Sequence, residues 1–393
     1  MKNIYIATLA AGLFIGGVNS SDAQKVNVKK AFQHAELQTD LMLKEVAANK
    51  NTSLVSPRTL EKGELKLVAS KDWTSGFFPG VLWYLYENDH SAKRMAEAKQ
   101  FTASIEKEKD NGTTHDMGFK VYCSVGTGYQ LTKDAHYKEV LIESAKTLST
   151  RFNPKTGVIR SWDHSRDKWV NPTIIDNMLN LELLFEATRL TGDSSFYKIA
   201  VSHANTTMKN HFRADYSSYH VVDYDPNTGA VLKRTTHQGY SDASAWARGQ
   251  AWGLYGYTMC YRYTHNLAYL KQAEHIAHYI FSHPNMPKDL VPYWDFNAPG
   301  IPNEPRDASA AAVISSALYE LSGYSKANKV DYLKKADKIL YSLSTDYIAP
   351  AGTAKGFILL HSTGSKPSNS EVDVPLSYGD YYYLEALNRK AKL

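Results

Sequence analysis

Two kinds of helical segment alternate along the chain, and this alternation is the strongest restriction on its fold. In the first series, apolar residues recur at positions i, i+3, i+4 and i+7, and the remaining positions are charged. This pattern is typical of helices that have one side in water. The amphipathic segments begin at Ala31, Ser91, His136, Phe196, Tyr269 and Tyr332.

The second series consists of segments that are apolar or rich in small residues on every face. A helix of this kind is buried on both sides. Gly, Pro, Asp or Asn residues also lie at or near the start of each segment, which favours a polar N-terminal end. The segments begin at Trp73, Met117, Pro172, Trp246, Asp307 and Pro375.

Six outer helices alternating with six inner helices predict an all-α fold, the (α/α)6 barrel. An open solenoid is the alternative, but inner helices without a charged face favour a closed ring. In such a ring the N-terminal ends of the inner helices meet at one mouth, where we expect the pocket. Strand-like alternation is sparse, and one β-hairpin is predicted between His220 and Thr235. No linker divides the chain, so residues 24–393 are interpreted as a single catalytic domain.

The N-terminus has the pattern of a secretory signal peptide. Lys2 is followed by an apolar run from Ile4 to Val18 and then by small and polar residues. We therefore expect residues 1–23 to be removed, with cleavage near Ala23 or Gln24, and the protein to be exported, most simply to the periplasm. No cysteine is present there to carry a lipid, and no second apolar stretch is long enough to span a membrane.

Charge and cysteine content exclude several classes of function. The net charge is only +5, and basic and acidic residues are interleaved, so nucleic acid is not an expected partner. Cys123 and Cys260 lie in apolar helical contexts, which favours buried free thiols over a disulfide. Neither CxxC nor HExxH spacing occurs, and the histidines are scattered, so no metal or other cofactor is expected. The oligomeric state is left open.

Asp176 is the most unusual polar residue of the inner series. In the stretch NPTIIDNMLNLELLFEAT we expect Asn171 to cap a helix and Pro172 to be its first residue, which places Asp176 one turn inside. Burial among aliphatic residues would raise its pKa, whereas the helix dipole would lower it. The alternative is a structural aspartate hydrogen-bonded to Asn177 or Asn180.

Asp116 is a second carboxylate at the same predicted mouth. It lies in the motif THDMGF at the start of the second inner helix, the one before the helix of Asp176. Alone it would be interpreted as an ordinary helix cap. Two carboxylates on neighbouring inner helices, however, are typical of enzymes that use a general acid and a general base on a sugar.

The segment THQGYSDASAWARGQAWGLYG predicts a binding surface for a carboxylated sugar. Arg248 and Trp252 are four residues apart and share a helix face, which would place a planar anion-binding group beside a stacking surface. The alternative for Arg248 is an ion pair with an acid at a helix end, such as Asp242. Gln238 and His220 are candidates to bind hydroxyl groups.

Trp162 and Trp73 stand at other inner-helix entrances. Each alone would be interpreted as a packing residue. Together with the residues above they predict an aromatic platform for a sugar ring.

Five ordered motifs resemble one known family. The stretches DWTSGFFPG, HDMGF, NPTIIDN, HQGYSDASAWARGQAWGLYG and VPLSYGDYYYLEAL are similar to those of the unsaturated glucuronyl hydrolases of glycoside hydrolase family 88. The resemblance extends from about Trp73 to about Leu387. It implies the same (α/α)6 fold.

The resemblance also implies a reaction. The substrate would be a 4,5-unsaturated uronic acid at the end of an oligosaccharide made by a polysaccharide lyase, such as a glycosaminoglycan disaccharide. Asp176 would protonate carbon 4 of the enol ether and then assist addition of water at carbon 5. Asp116 matches the second acidic position of the family. The matching substrate-binding positions are His220, Gln238, Arg248, Trp252 and Trp162.

Two other functions remain open from the sequence. An unsaturated rhamnogalacturonyl hydrolase would share the ring and the chemistry but act on pectin fragments. A noncatalytic glycan-binding helical protein belongs to a different class, and the two acids at the mouth argue against it. The segment HSTGSKPSNSE, from His361, is a candidate contact for a sulfate or for the second sugar.

Overall fold

The structure is a computed structural model that describes residues 26–393. The predicted signal peptide, residues 1–23, and its cleavage site lie outside the described residues. Within residues 26–393 the chain forms twelve α-helices. In chain order they are α1 (Val28–Ala47), α2 (Phe77–Asp89), α3 (Ala92–Ala103), α4 (Thr127–Thr132), α5 (Ala135–Ser149), α6 (Leu181–Thr191), α7 (Ser194–Asn210), α8 (Ala247–Thr264), α9 (Leu267–Ser282), α10 (Ala308–Tyr324), α11 (Lys329–Thr345) and α12 (Ser377–Ala391).

The odd-numbered helices form the outer layer. Each buries one face at helical spacing, as α1 does with Ala31, Ala35, Gln38 and Met42. Several of them begin at a side-chain cap that accepts a hydrogen bond from the first turn, which satisfies amide groups that the helix itself leaves free. The capping residues are Asn27, Ser91, Asp134, Asp193 and Asn266.

The even-numbered helices form the inner ring, and α8, α10 and α12 are buried almost all the way round. Two of them are preceded by irregular turns: a π-helix, Gly118–Gly126, leads into α4, and a 3-10 helix, Ile175–Asn180, leads into α6. Each inner element packs against the next, and α12 packs against α2. The ring is therefore closed, and the predicted (α/α)6 barrel is confirmed over the open solenoid.

Gly80 shows how tightly the ring closes. A Cβ atom at this position would lie 2.3 Å from the ring of Tyr381 on α12 and 2.5 Å from the carbonyl oxygen of Cys123. Both distances are far below van der Waals contact. Any larger residue at position 80 would therefore push α2 away from both of its neighbours.

Short antiparallel strands form small sheets around the helices. The strands are β1 (Ser56–Glu61), β2 (Glu64–Val68), β3 (Phe152–Asn153), β4 (Val158–Ile159), β5 (Pro172–Ile174), β6 (Val221–Tyr224), β7 (Val231–Thr235), β8 (Ser362–Ser365) and β9 (Ser370–Val374). The predicted hairpin between His220 and Thr235 is confirmed as β6–β7, with Val221 opposite Thr235. The hairpins β1–β2, β3–β4 and β8–β9 were not predicted.

The predicted start of the third inner helix is wrong. Pro172 does not open a helix: residues 172–174 form strand β5, which pairs with β6 so that Ile174 lies opposite Val221. Asn171 is not a cap, because the 3-10 helix begins only at Ile175 and has Ile174 in its N-cap position. Proline is tolerated as the first residue of a strand, and the β-branched residues that follow favour extended backbone.

Three further expectations concern the whole chain. Cys123 and Cys260 are buried free thiols, as predicted. In residues 26–393, every helix is too short or too polar to cross a bilayer. The interpretation of residues 24–393 as one domain stays a prediction.

Candidate active site

A cavity of about 560 Å³ opens where the inner helices begin. Trp73 precedes α2, Asp116 precedes the π-helix, and Arg248 lies in the first turn of α8. Six of the eight predicted site residues line this cavity: Trp73, Asp116, Trp162, Asp176, Gln238 and Arg248. The other two, His220 and Trp252, are buried and do not line it.

Asp176 is a buried carboxylate without a structural partner. It is the second residue of the 3-10 helix, and only 7% of it is exposed. Its Oδ2 atom makes no hydrogen bond with residues 26–393. The two amides proposed as alternative partners are engaged elsewhere: Asn177 donates to the carbonyl oxygen of Ile159, and Asn180 accepts from the N–H of Phe119. The alternative in which Asn177 or Asn180 hydrogen-bonds to Asp176 is therefore wrong.

Burial dominates the electrostatics of Asp176. Loss of water around the carboxylate raises its pKa to about 7, against the opposing effect of the Arg248 charge. The nearby charge of Asp116 raises this pKa further. A large fraction of the Asp176 side chain is consequently protonated near neutral pH, which is what a general acid requires.

His220 lies beside Asp176 because strands β5 and β6 are paired. The N–H of Ile175 donates to the carbonyl oxygen of His220 over 3.0 Å. The Nδ1 atom of His220 accepts hydrogen bonds from the backbone N–H groups of His237 and Gln238, each 3.1 Å long. Burial holds the pKa of His220 well below its usual value, so the ring is neutral. The proton of the imidazole is therefore on Nε2, which faces Oδ2 of Asp176 at 3.7 Å.

Asp116 is held by its two preceding residues. Its Oδ2 accepts a hydrogen bond of 2.6 Å from the Thr114 hydroxyl, and its Oδ1 lies 3.2 Å from Nε2 of His115. Burial lowers the pKa of His115. The backbone of Asp116 accepts from the N–H of Lys120, but its side chain does not cap the helix. The helix-cap alternative is wrong, and the carboxylate faces the cavity.

Arg248 is a fixed buried cation, 1% exposed. Its Nη1 donates to Oδ2 of Asp307 at 2.6 Å and to the carbonyl oxygen of Thr363 at 2.5 Å, and its Nη2 donates to the carbonyl oxygen of Gly364 at 2.6 Å. The alternative of an ion pair with a helix-end acid is confirmed, but the acid is Asp307, the N-cap of α10, and not Asp242. The Nε–H group makes no hydrogen bond with the described chain and remains open to a ligand.

Gln238 hydrogen-bonds to the same residue of strand β8 as Arg248 does. Its Nε2 donates to the carbonyl oxygen of Gly364 over 3.0 Å. Two residues of the 238–248 segment therefore hold the β8–β9 hairpin against the cavity. Ser365, Ser370 and Glu371 of that hairpin line the cavity directly.

Two aromatic surfaces line the cavity. Trp162 stacks on His164 with ring centroids 5.2 Å apart, and its Nε1–H has no partner in residues 26–393. Trp73 lies 5.0 Å from Tyr378, centroid to centroid. Stacked or tilted rings of this kind present flat faces to a sugar ring.

Trp252 does not form the predicted stacking surface. Its side chain is fully buried below the cavity, where it packs on Phe119 at 5.2 Å and on Tyr382 at 5.5 Å between ring centroids. The spacing of four residues from Arg248 is along the axis of α8, so Trp252 lies one turn deeper in the barrel. Its indole N–H has no partner at hydrogen-bonding distance, although it favours the Asp176 anion and so lowers the pKa of Asp176 slightly.

Arg58 is a cavity residue that the sequence did not single out. It lies on β1 and donates to both carboxylate oxygens of Glu371 on β9, at 2.5 and 3.0 Å, and to Asp72 at 2.8 Å. Arg58 and Glu371 are 313 positions apart, and both belong to hairpins that were not predicted. Tyr378 was quoted only within a family motif. No local signal marked Arg58 or Tyr378 as part of the site, whereas Glu371 ends the segment HSTGSKPSNSE that was predicted as a contact.

Among residues 26–393, no group of three or more His, Cys, Asp or Glu side chains is arranged to hold a metal ion. The expectation that the reaction needs no metal or other cofactor stays a prediction.

Comparison with known proteins places the chain in a family. The model of Glycosyl Hydrolase Family 88 matches residues 24–390. An unsaturated glucuronyl hydrolase of Formosa agariphila is 48% identical over 404 residues, which cover 100% of this chain and 99% of that protein. An unsaturated chondroitin disaccharide hydrolase of Streptococcus pyogenes is 33% identical and is matched over 89% of both chains.

A solved structure agrees with the fold. The crystal structure of an unsaturated glucuronyl hydrolase specific for heparin superposes with a TM-score of 0.89 at 48% sequence identity, covering 93% of this chain and 97% of the other. The sequence motifs, the closed ring and these similarities lead to one assignment. The chain belongs to glycosyl hydrolase family 88 and is a glycoside hydrolase of the (α/α)6-barrel type.

Proposed function

We propose that the cavity removes a 4,5-unsaturated uronic acid from the end of oligosaccharides that a polysaccharide lyase has produced. The single observation that carries this proposal is Asp176, a buried carboxyl group whose pKa is about 7 and whose Oδ2 has no protein partner. The names of the relatives support it, since one is an unsaturated glucuronyl hydrolase and another an unsaturated chondroitin disaccharide hydrolase. Glycosaminoglycan disaccharides are therefore the first candidates.

The first step is protonation of carbon 4 of the enol ether by Asp176. Such a carbon is a weak base, so its proton donor must still be protonated near neutral pH. Positive charge then develops at carbon 5 and on the ring oxygen. The carboxylate of Asp116 faces the same cavity and favours that charge electrostatically.

The second step is addition of water at carbon 5. The ionised Asp176 accepts one proton of this water, so the acid form is regenerated and no proton is gained or lost overall. The hemiketal that results opens spontaneously and expels the neighbouring sugar. The Nε2–H of His220 faces Oδ2 of Asp176 and is available to stabilise the anion between the two steps.

The remaining site residues would hold the substrate. The buried charge of Arg248, with its free Nε–H, favours the uronate carboxylate. Gln238 keeps its carbonyl oxygen free for a hydroxyl group, because its hydrogen bond to Gly364 uses the amide nitrogen. Trp73 and Trp162 supply ring faces. Trp252, which is buried, would act through Asp176 rather than by stacking on the sugar.

A panel of lyase-generated disaccharides tests the proposal. Loss of the ultraviolet absorbance of the enol ether reports hydration directly. We expect turnover of unsaturated chondroitin, hyaluronan or heparin disaccharides, with one deuterium at carbon 4 of the product in heavy water. Turnover of an unsaturated rhamnogalacturonan disaccharide alone would favour the pectin-directed alternative. Binding without loss of absorbance on every substrate would favour a noncatalytic glycan-binding protein.

We also propose that the enzyme works after export, most simply in the periplasm. The proposal rests on the signal-peptide pattern of residues 1–23. Cell fractionation followed by sequencing of the mature N-terminus tests it. An N-terminus near Ala23 or Gln24 in the periplasmic fraction is expected, and an uncleaved cytosolic chain would contradict export.

A further inference from the structure

A second cavity, of about 600 Å³, lies at the opposite end of the inner ring. Residues of α2, α4, α6, α8 and α12 and of the turns before α4 and α6 line it, and the proposed reaction uses none of its charged residues. A layer of aromatic rings separates it from the active-site cavity. Phe119 lines the second cavity, and its ring packs 5.5 Å from that of Trp73, which lines the first.

The charges around this cavity do not balance. The acidic side chains that line it, or that pair directly with its arginines, are Glu87, Glu182, Glu186, Glu320 and Glu385, and the basic ones are Arg189, Arg262, Arg389 and Lys392. Five carboxylates against four cations leave one excess negative charge. The pairs Glu186–Arg189 and Glu87–Lys392 are each neutral. The excess therefore belongs to the remaining network of three carboxylates and two arginines.

Glu182 is the carboxylate of that network with an open oxygen. It is 8% exposed and lines the cavity. Its Oε1 accepts hydrogen bonds from Arg262 and, at 3.4 Å, from the hydroxyl of Tyr263. Its Oε2 accepts none from the described chain. By contrast, both oxygens of Glu320 accept from Arg262.

The pKa values of Glu182 and Glu320 agree with this difference in hydrogen bonding. Burial raises the pKa of Glu182 despite the Arg262 charge. Glu320 is also buried, but Arg262 and Arg389 together outweigh that effect and lower its pKa to about 2. Glu182 is therefore the group that lacks sufficient positive charge.

Tyr382 provides a second, independent sign of a missing partner. Its side chain is 2% exposed and lines the same cavity, yet its hydroxyl group makes no hydrogen bond with residues 26–393. The hydroxyl oxygen is not fully enclosed, so it faces the cavity with its donor and acceptor free. The wall around it is rich in tyrosine, with Tyr84, Tyr122, Tyr255, Tyr263 and Tyr381 also contributing. Aromatic faces attract cations and pack against aliphatic or sugar C–H groups.

We propose that this second cavity binds a small organic molecule that carries a primary ammonium group. The ammonium donates a hydrogen bond to Oε2 of Glu182 and supplies the missing positive charge, and the Tyr382 hydroxyl hydrogen-bonds a polar group elsewhere on the ligand. The rest of the ligand lies against the tyrosine rings. Arg262 and Arg389 do not repel it strongly, because the three carboxylates paired with them, Glu182, Glu320 and Glu385, outnumber them. The site is independent of the reaction at Asp176.

Glucosamine and N-acetylglucosamine form a matched pair of probes, because acetylation removes the charge and keeps the sugar. We expect calorimetry to detect glucosamine binding with a Kd of about 1 mM or tighter. N-acetylglucosamine should bind at least about tenfold more weakly. Equal binding of the two, or no binding of glucosamine, would overturn the proposal.

Three variants locate the site. Tyr382→Phe removes only a hydroxyl group and should weaken glucosamine binding several-fold without loss of fold. Glu182→Gln should weaken it at least about tenfold, and circular dichroism checks that this variant folds. Asp176→Asn, in the other cavity, should bind glucosamine as the wild type does. Loss of binding in Asp176→Asn with retention in Tyr382→Phe and Glu182→Gln would place the ligand in the active site and overturn the proposal.

Discussion

Nε2 of His220 lies 3.7 Å from Oδ2 of Asp176, and the proton of the imidazole is held on that nitrogen. The distance is too long for a hydrogen bond in the free protein, but small movements on substrate binding would close it. His220 is thus a positioning residue that favours the Asp176 anion after proton transfer.

His220→Ala should lower kcat by about 10²-fold, because the anion loses its donor. His220→Gln keeps an N–H group close to the position of Nε2 and should recover part of the activity. The pH profile of kcat/KM separates this role from a merely structural one. Loss of the donor should move the pKa of the essential acid upward, whereas equal activity and an unmoved profile in both variants would contradict the assignment.

The activity of the wild type should decline as the pH rises through about 7. Burial raises the pKa of Asp176 to about 7, and the reaction needs its protonated form. Below pH 7 the titration of Asp176 should leave kcat/KM unchanged. Above pH 7 kcat/KM should fall about tenfold per pH unit. A rate that instead increases from pH 6 to pH 8 would mean that Asp176 acts first as a base.

Arg248→Ala should destabilise the fold as well as weaken substrate binding. The variant leaves Asp307 fully buried without its cation, and breaking a buried pair from one side costs roughly 3 kcal/mol or more. Thermal denaturation of Arg248→Ala and of the double variant Arg248→Ala/Asp307→Asn measures this. The double variant should regain part of the lost stability, since asparagine keeps the cap on α10 but carries no charge. Equal melting temperatures for wild type and Arg248→Ala would refute the role of the pair.

Arg58→Ala should affect KM more than stability. Arg58 joins the β1–β2 and β8–β9 hairpins at the cavity through Glu371, but its side chain is partly exposed. Such ion pairs contribute about 1 kcal/mol or less to the free energy of unfolding. Lys66→Ala is a matched control, because Lys66 pairs with Glu61 on the same hairpin and does not line the cavity. An unchanged KM for Arg58→Ala would show that the hairpin junction does not hold substrate.

The fold was predictable because its strongest signal is local. Inner segments such as residues 307–323 lack a charged face, which indicates burial on both sides. Outer segments such as residues 332–343 have one charged face, which indicates burial on one side, and neither inference needs the contacts to be known. The start of the third inner segment was not predictable in this way. Pro172, Thr173 and Ile174 belong to a short apolar run, and apolar runs of that length fit a strand as well as a helix.

The site was predictable where residue type and position at a helix entrance were sufficient. Asp176, Asp116 and Arg248 belong to this group. Trp252 was placed in the cavity wrongly, because a spacing of four residues shows that it shares a helix face with Arg248 but does not show how deep it lies along the barrel axis. Arg58 was missed because its contact with Glu371 joins two hairpins far apart in sequence, and no pattern near Arg58 indicates that contact. Glu371 itself is the last residue of the segment from His361 that was predicted as a contact for a sulfate or for the second sugar.

Asp176→Asn tests the central claim most directly. The substitution removes the acidic proton and keeps the shape of the side chain, so the fold and substrate binding should persist. Turnover is measured as the loss of enol ether absorbance of an unsaturated disaccharide, with a melting curve to confirm folding. We expect kcat to fall by at least about 10²-fold. A folded Asp176→Asn variant that consumes the substrate at nearly the wild-type rate would contradict the account.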